Sequence, residues 1–438
     1  MHVEPETAAV DGNPEEGREI SATAKAYFAP GKAATHKRGV LYQGDYQNES
    51  DGTGIAIRLH ARALASTGVP LLLKPASSMV LSSRGVFEPL HLAGISENVK
   101  SEVGDLPNTS VAALYPVIRH FVVHKAEDIN SRVMRGATSN LDDPEIFIKL
   151  SNAAYSGTVL YSVWERDRVD ARTVREMNRV GDNWVPCEQN AEMLRKCGVE
   201  RVAVIPHPFD FNNQLTKLTK RRPMKTRRFY NIGRWEPRKN QVEILLAFFE
   251  TFKPGDDVHL TLKFHGSWEG YPNLAQTMEY IHETHSAWTP AQVEKHLTTI
   301  EGHVRADQIL KLHYENNIYL APSAGEAWCL PAFEAKVAGN KLIHTPYGGT
   351  ADFCEEGDVS LDYELGPVPP TYGWSEDSEW AHVSGTSLRA ALGSVEAPEE
   401  YVRTVAFSNK FGMPAVGHLM RARLKEIFGD THSGEYLK

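Results

Sequence analysis

Cysteine is scarce in this chain, long apolar runs are missing, and no paired-aspartate motif stands where one would be useful. Each lack removes a class of protein. The four cysteines among 438 residues are Cys187, Cys197, Cys329 and Cys354. None falls in C-x-x-C spacing, so neither a disulfide framework nor a zinc site is legible, and the thiols read as reduced, as in a cytosol. No stretch approaches the roughly 18 consecutive apolar residues that a spanning helix needs. The opening MHVEPETAAVDGNPEEGREI is acidic and polar, without the basic start and apolar core of a secretory signal. Residues 1–37 therefore read as an extended or disordered segment, and the protein as cytoplasmic. No repeat of solenoid period is present. No well-placed D-x-D pair of the kind that holds a metal ion is present, so no metal cofactor is expected.

What remains is an ordinary globular composition, 41% hydrophobic and 24% charged, with a net charge of −9. The length suits two domains. Two stretches of the second half carry the chemistry. The first, YNIGRWEPRKNQVEILLAFFETF over residues 230–252, reads as a strand, a tight loop and an amphipathic helix. Asn240 suits an N-cap and Glu243 completes a capping box. Val242, Leu245, Leu246, Phe249 and Phe252 recur at helical spacing. The loop holds Gly233, Arg234 and Lys239 at the edge where open α/β sheets bind ligands. Arg grips phosphate oxygens bidentately and Lys acts as a compact point charge, so both suit a diphosphate; as lone motifs they also suit a solvated turn.

The second stretch, SAGEAWCLPAFEAKVAG over residues 323–339, follows the strand NIYLAPS and opens a helix with Pro331 in its first turn and Gly339 just past its end. It holds Glu326 and Glu334, eight positions apart. The amides at such a helix start form an anion site. A single acid near a helix start is also favoured by the dipole, which accounts for one glutamate but not for the pair.

In this order, about 90 residues apart, the two stretches resemble the donor-binding half of a GT-B glycosyltransferase of the retaining family 4 type. The resemblance implies two Rossmann-like, doubly wound domains facing a cleft, and transfer of a sugar from a nucleotide-diphosphate sugar to an acceptor hydroxyl. It implies that Glu326 contacts donor-sugar hydroxyls, that Glu334 holds the ribose diol, and that backbone at His303, Val304 and Arg305 reads the base. It also places Ala327, Trp328, Cys329 and Leu330 around the diphosphate. The family pattern is E-G-F-G-L-P, and here Ala327 and Cys329 replace both glycines. Their amides still reach a phosphate provided that φ stays negative.

The first half matches more loosely. RGVLYQ over 38–43 reads as a first strand, 44–54 as a glycine-containing loop, 55–67 as a helix and 69–73 as a second strand. Gly52, Thr53 and Gly54 would let backbone approach donor phosphate or acceptor; Gly, Asn and Ser are equally ordinary loop residues. Residues 160–210 read as strand, helix, strand, helix, strand and resemble the end of the family's acceptor domain. There Glu165 faces the cleft, as an acceptor-site residue or else as a solvated charge or a member of a local ion pair. The resemblance also implies an acceptor-domain histidine against the donor sugar. His120 and His124 flank Phe121-Val122-Val123, and His124 is favoured as the one at a strand end.

The domain reading is 38–212 for the acceptor side, 213–227 for a basic linker, 228–400 for the donor side, and 401–438 for a helix crossing back. Seven cations fall between Lys217 and Arg228, against the acidic whole. They read as a solvated linker or as contact with an anionic surface. The acceptor reads as a glycan or glycolipid, with hydroxymethylated bases of DNA as the second reading. The alternative from another class is an inactive GT-B protein that only binds a nucleotide or partner.

Overall fold

The structure is a computed structural model that describes residues 40–44, 52–69, 71–75, 116–134, 151–285, 287–373 and 377–433. The sequence readings for residues 1–37 and for most of the loop 44–54 lie outside these. Among the described residues no helix is long and apolar enough to cross a membrane.

Two six-stranded sheets, parallel throughout, carry the fold. The first contains β1 (Val40–Gly44), β2 (Leu71–Pro75), β3 (Val117–His120), β4 (Thr158–Tyr161), β5 (Asp182–Val185) and β6 (Val202–Val204), in the order β2-β1-β3-β4-β5-β6. The second contains β7 (Arg227–Arg234), β8 (Val258–His265), β9 (Leu297–Glu301), β10 (Ile318–Ala321), β11 (Lys341–His344) and β12 (Val359–Ser360). Its order, β12-β11-β10-β7-β8-β9, is the doubly wound arrangement in which the chain reverses direction between the first and fourth strands. Helices cover both faces, so the strands are apolar runs rather than clean alternations. In β8, Val258, Leu260, Leu262 and Phe264 enter the core that contains Phe229, Phe248 and Leu320. Thr261 on the other face donates to Asn316.

The helix Gln241–Thr251 is buried more widely than a single stripe. Ile244, Ala247 and Phe248 are buried beside Leu245 and Phe249, while Val242 and Leu246 are only half-buried. Asn240 precedes it in the left-handed region (φ 57°) with no side-chain cap; its amide instead donates to the Pro322 carbonyl at 2.6 Å. The capping box read from Asn240 and Glu243 is therefore absent. The helix Gly52–Ala65 begins earlier than the sequence suggested, so Gly52, Thr53 and Gly54 form its first turn rather than a loop.

Residues 214–220 form a short helix and a 3-10 turn rather than an open linker. Three of the seven cations face inward. Arg221 donates to the carbonyls of Ala338 and Asn316 and lies over the Tyr401 ring. Arg227 donates to the carbonyls of Leu392 and Gly393, and Arg228 to that of Glu315. Lys217, Lys220, Arg222 and Lys225 are exposed.

The end of the chain splits into two helices, Val405–Phe411 and Met413–Ser433. Val416, Met420, Leu424 and Phe428 of the second join Val40, Ile57, Leu64 and Ile118 in one core. Gly417 packs against the Ala63 carbonyl so closely that a Cβ would clash. Arg423 grips the fully buried Asp182 through Nε at 2.6 Å and Nη2 at 3.0 Å. A two-stranded antiparallel ribbon, β13 (Tyr363–Pro367) and β14 (Glu379–Val383), was not legible in the sequence. It lies over the loops of the second sheet through the bond from the Ala381 amide to the Ala324 carbonyl.

Candidate active site

The carboxyl ends of β7 and β10 flank the reversal point of the second sheet, where a doubly wound fold opens a crevice. From β7 the chain passes Trp235, which is buried and bonded to the Pro272 carbonyl, and enters a 3-10 turn at Pro237–Lys239. Gln241 closes the loop by donating to the Arg234 carbonyl at 2.6 Å. Arg234 itself is exposed, lies over the Trp268 ring, and has no carboxylate partner among the described residues. Trp268 in turn stacks on Tyr372, with ring centroids 4.2 Å apart.

Lys239 points the other way and donates to Glu326 Oε1. The second oxygen of Glu326 is 3.1 Å from Arg238 Nη1. Burial disfavours the charged form of this carboxylate, but Lys239 and Arg238 outweigh burial and hold it below its ordinary range. Arg238 was missed by sequence reasoning. It is 7% exposed and reaches Glu236 at 2.7 Å, the Gly325 carbonyl at 2.8 Å and Glu165 of the first domain at 3.0 Å. Burial works against its charge, but the carboxylates of Glu165, Glu326 and Glu236 raise its affinity for the proton. Burial pushes the Glu165 carboxyl up and Arg238 pulls it back. Since 41% of the Glu165 side chain still meets solvent, that push is a weak one. Glu165 is thus in an ion pair, though one that reaches the other domain rather than a local one. No signal in the sequence singles out Arg238 from Lys239, because its partners come from residues far apart in the chain.

Glu326 begins a loop whose shape rests on two glycines. The Gly349 amide donates to the Glu326 carbonyl at 3.0 Å. A Cβ on Gly348 would clash with that carbonyl, and one on Gly349 with the backbone of Trp328 and Ala327. The loop ends at Cys329, whose φ of 66° is left-handed. The expectation that φ stays negative here fails: the backbone keeps the conformation that suits glycine although the residue is cysteine. The helix Leu330–Val337 then starts, and its first residue faces Gly52 of the other domain. A Cβ on Gly52 would stand 3.2 Å from Leu330 Cδ1. Two helix N-termini, those of Gly52–Ala65 and Leu330–Val337, thus meet across the crevice. Their positive dipole ends share one space; in the second helix Pro331 carries no N–H and the Phe333 amide donates to the Cys329 carbonyl, which leaves the Leu330 amide as that helix's own donor there. Glu334 lies further along the second helix, a quarter exposed, with Oε2 at 3.5 Å from His313 Nε2.

Of the base-pocket residues, His303 is exposed, with its ring 4.9 Å from that of His265. Val304 is half-buried. Arg305 is exposed at the start of the helix Ala306–Glu315, where its guanidinium pairs with Asp307 at 2.6 Å.

The two candidate histidines differ sharply. His124 is exposed, its amide is held by Asp128 at 2.7 Å, and Arg166 Nη2 lies 3.4 Å from its ring. His120 ends β3 and is buried, with Nδ1 at 2.9 Å from the Tyr42 hydroxyl and the Tyr161 ring 4.1 Å away. It belongs to a cluster with His60 and His207, and His207 meets Trp328 of the second domain edge to face at 5.5 Å. Burial pushes the His60 imidazole down to about 4 and drives those of His120 and His207 well below the ordinary value. His120 Nε2, His207 Nδ1 and Trp328 Nε1 are buried without a hydrogen-bond partner among the described residues. His60 was passed over, although it shares the apolar face of its helix with Ile57, Ala61 and Leu64, a pattern the sequence displays.

No protein-family model matches the chain, and no curated protein matches it. Solved structures do. OtsA, in its apo structure, aligns over 89% of this chain and 99% of its own at TM-score 0.55 and 12% identity. The α,α-trehalose 6-phosphate synthase of Burkholderia multivorans aligns over 90% and 99% at TM-score 0.54 and 10% identity. HepE of Anabaena, solved with UDP and glucose, aligns over 89% and 100% at TM-score 0.51 and 14% identity. The fold is GT-B. At such identities the likeness is one of architecture, and the GT-B crevice of this chain is the space just described.

Proposed function

We infer that this protein is a glycosyltransferase that moves a sugar from a nucleotide-diphosphate sugar to an acceptor hydroxyl, with retention at the anomeric carbon and without a metal ion. The observation that carries this reading is the meeting of two helix N-termini at the sheet's reversal point, beside an exposed Arg234 and a carboxylate, Glu326, fixed by two cations. The amides and Arg234 suit a departing diphosphate, whose charge grows as the sugar–oxygen bond breaks and is therefore stabilised most in the transition state. Glu326 suits donor-sugar hydroxyls and Glu334 the ribose diol. The Lys239 ammonium would pass from Glu326 to the diphosphate as donor enters. We assign the histidine role to His120 in place of His124, because its unpartnered Nε2 lies in the cluster that reaches Trp328. In the mechanism that the family resemblance implies, the departing phosphate oxygen helps to deprotonate the acceptor, so no enzymic nucleophile is required.

The acceptor is proposed to be a glycan or glycolipid. The four exposed cations Lys217, Lys220, Arg222 and Lys225 favour an anionic partner, and hydroxymethylated DNA is the second reading. It predicts duplex binding that weakens steeply with salt.

The test is a thermal-shift panel of UDP-, GDP-, ADP- and TDP-sugars on the wild type and Arg234→Ala, with UDP-sugars first because HepE holds UDP. Donor at about 100 times its dissociation constant stabilises by about 2.7 kcal/mol. A shift with one nucleotide class, lost in Arg234→Ala, supports the donor site. Donor binding with no diphosphate release on any acceptor would move the reading to an inactive nucleotide-binding protein, and no shift with any donor would sink it.

A further inference from the structure

Arg238 Nη1 has two protons and faces three acceptors: the Gly325 carbonyl at 2.8 Å, Glu165 Oε1 at 3.0 Å and Glu326 Oε2 at 3.1 Å. Its Nη2 is committed to Glu236 at 2.7 Å. Two of the three acceptors move with the donor domain, and the third, Glu165, belongs to the other domain. Both sides are held firmly. The Arg238 carbonyl accepts from the Ala324 amide at 2.8 Å. On the opposite side, Trp164 exchanges backbone bonds with the Asn190 side chain at 3.1 and 2.8 Å and is buried, so the next residue, Glu165, is presented from a fixed point. The approach is close: a Cβ on Gly325 would lie 2.9 Å from the Glu165 carbonyl oxygen. Packing alone does not call for a guanidinium here, and burying one among three carboxylates carries a large desolvation cost.

We propose that Glu165 and Arg238 are positioning residues that couple cleft closure to the freedom of Glu326. With the cleft open, Arg238 Nη1 serves Glu326 and Gly325 alone, and Glu326 has a cation on each oxygen. Closure brings Glu165 onto the same nitrogen. Glu165 takes a share of its protons and adds a like charge near Glu326, which weakens the hold on Oε2, still 3.1 Å from Nη1 with Glu165 in place, so that a donor-sugar hydroxyl competes for it. The donor-contacting carboxylate thereby becomes available only when water has been excluded. This rests on the glycosyl-transfer reading and adds to it a relay that neither residue could provide alone.

The experiment uses the full chain with UDP and UDP-glucose as probes, and Glu165→Gln, Glu165→Asp, Arg238→Gln and the double Gln variant. UDP affinity stays within about two-fold of wild type in Glu165→Gln, because the nucleotide does not touch this pair. Its kcat falls by about ten-fold or more at nearly unchanged KM, Glu165→Asp restores part of it, and the double variant is no worse than the poorer single one. A wild-type kcat in Glu165→Gln, losses that multiply in the double variant, or a rise only in acceptor KM each overturns the proposal; the last would return Glu165 to acceptor binding. If wild type turns over no UDP-sugar, the transfer reading with that donor is what has failed. The pair is then judged by the same four variants in thermal unfolding, where non-additive shifts uphold the shared proton donor and additive ones overturn it.

Discussion

His207 and Trp328 meet edge to face at 5.5 Å across the crevice, and behind His207 lie His60 and His120, at 5.0 and 6.4 Å. Three imidazoles packed this way stay folded only while neutral. A proton on any of them is a buried charge, without a carboxylate in ring contact among the described residues and facing two other imidazoles.

Acid should therefore loosen this half of the molecule ahead of ordinary carboxylate titration. His60 titrates at about 4 in the folded protein against an ordinary value of 6.5. Between those values the unfolded chain binds the proton and the native state does not, so stability rises with pH. The penalty is absent above pH 6.5 and grows as pH falls toward 4, reaching about 3 kcal/mol for this one group. His120 and His207 shift in the same direction. Urea midpoints measured from pH 7 to pH 4.5 should drop steeply, and less steeply in His60→Gln. A midpoint flat over that range contradicts the burial of the cluster.

Gly349→Ala should be among the most damaging single-methyl additions in the chain. Its Cβ would meet backbone of Ala327 and Trp328, which cannot rotate away as a side chain can. The loop from Glu326 to Cys329 must shift or the bond from the Gly349 amide to the Glu326 carbonyl must break. A loss of about 2–4 kcal/mol in denaturant unfolding, with loss of nucleotide binding, is the expected outcome. Retention of both would mean that the loop is not packed as described.

Cys329→Gly goes the other way. A left-handed φ of 66° costs an L-residue roughly 1–2 kcal/mol, and glycine removes that cost while adding unfolded-state entropy and losing a small buried thiol. The net change should lie within about 1 kcal/mol of wild type, whereas Cys329→Val, β-branched at the same φ, should destabilise by about 2 kcal/mol or more. Calorimetric melting of the two variants separates them. Equal losses in both would show that the thiol's packing, rather than the backbone, governs this position.

The parts of the fold legible in the sequence were those with local causes. The strands ending at Arg234 and Ala321, the proline-started helix after Cys329 and its glycine stop all follow from short-range chemistry. Glu326 and Lys239 could be named as neighbours of one site because each lies beside a strand end. What the sequence concealed depends on contacts between distant segments. Arg238 matters through Glu165, which is 73 positions away. The β13–β14 ribbon has no tight turn to announce it, since its strands are separated by 11 residues. Asn240 looked like a cap, but the Pro322 carbonyl competes for its side chain.

If Arg234, Lys239 and two helix starts carry the charge of the departing diphosphate, a divalent ion has no part left to play. Turnover should be unchanged by EDTA and by added magnesium, measured as nucleoside diphosphate release. Abolition by EDTA would show that those groups do not suffice.

Arg234 and Lys239 are both cations of one loop, but their variants should separate stability from binding. Arg234 is exposed and has no ionic partner among the described residues, so Arg234→Ala should alter unfolding by no more than about 0.5 kcal/mol. If Arg234 contacts the diphosphate, the same change removes a charge-assisted contact, for which about 1.5–3 kcal/mol, or roughly ten- to a hundred-fold in affinity, is the ordinary scale. Lys239 is 13% exposed and paired with Glu326. Lys239→Ala leaves one oxygen of a buried carboxylate without its cation, so it should lower stability as well as affinity, and Glu326 should then titrate higher than in wild type. Titration calorimetry with UDP beside urea unfolding of each variant gives the four numbers needed. If Arg234→Ala destabilises as much as Lys239→Ala, Arg234 is a structural residue and the anion site has been placed on the wrong cation.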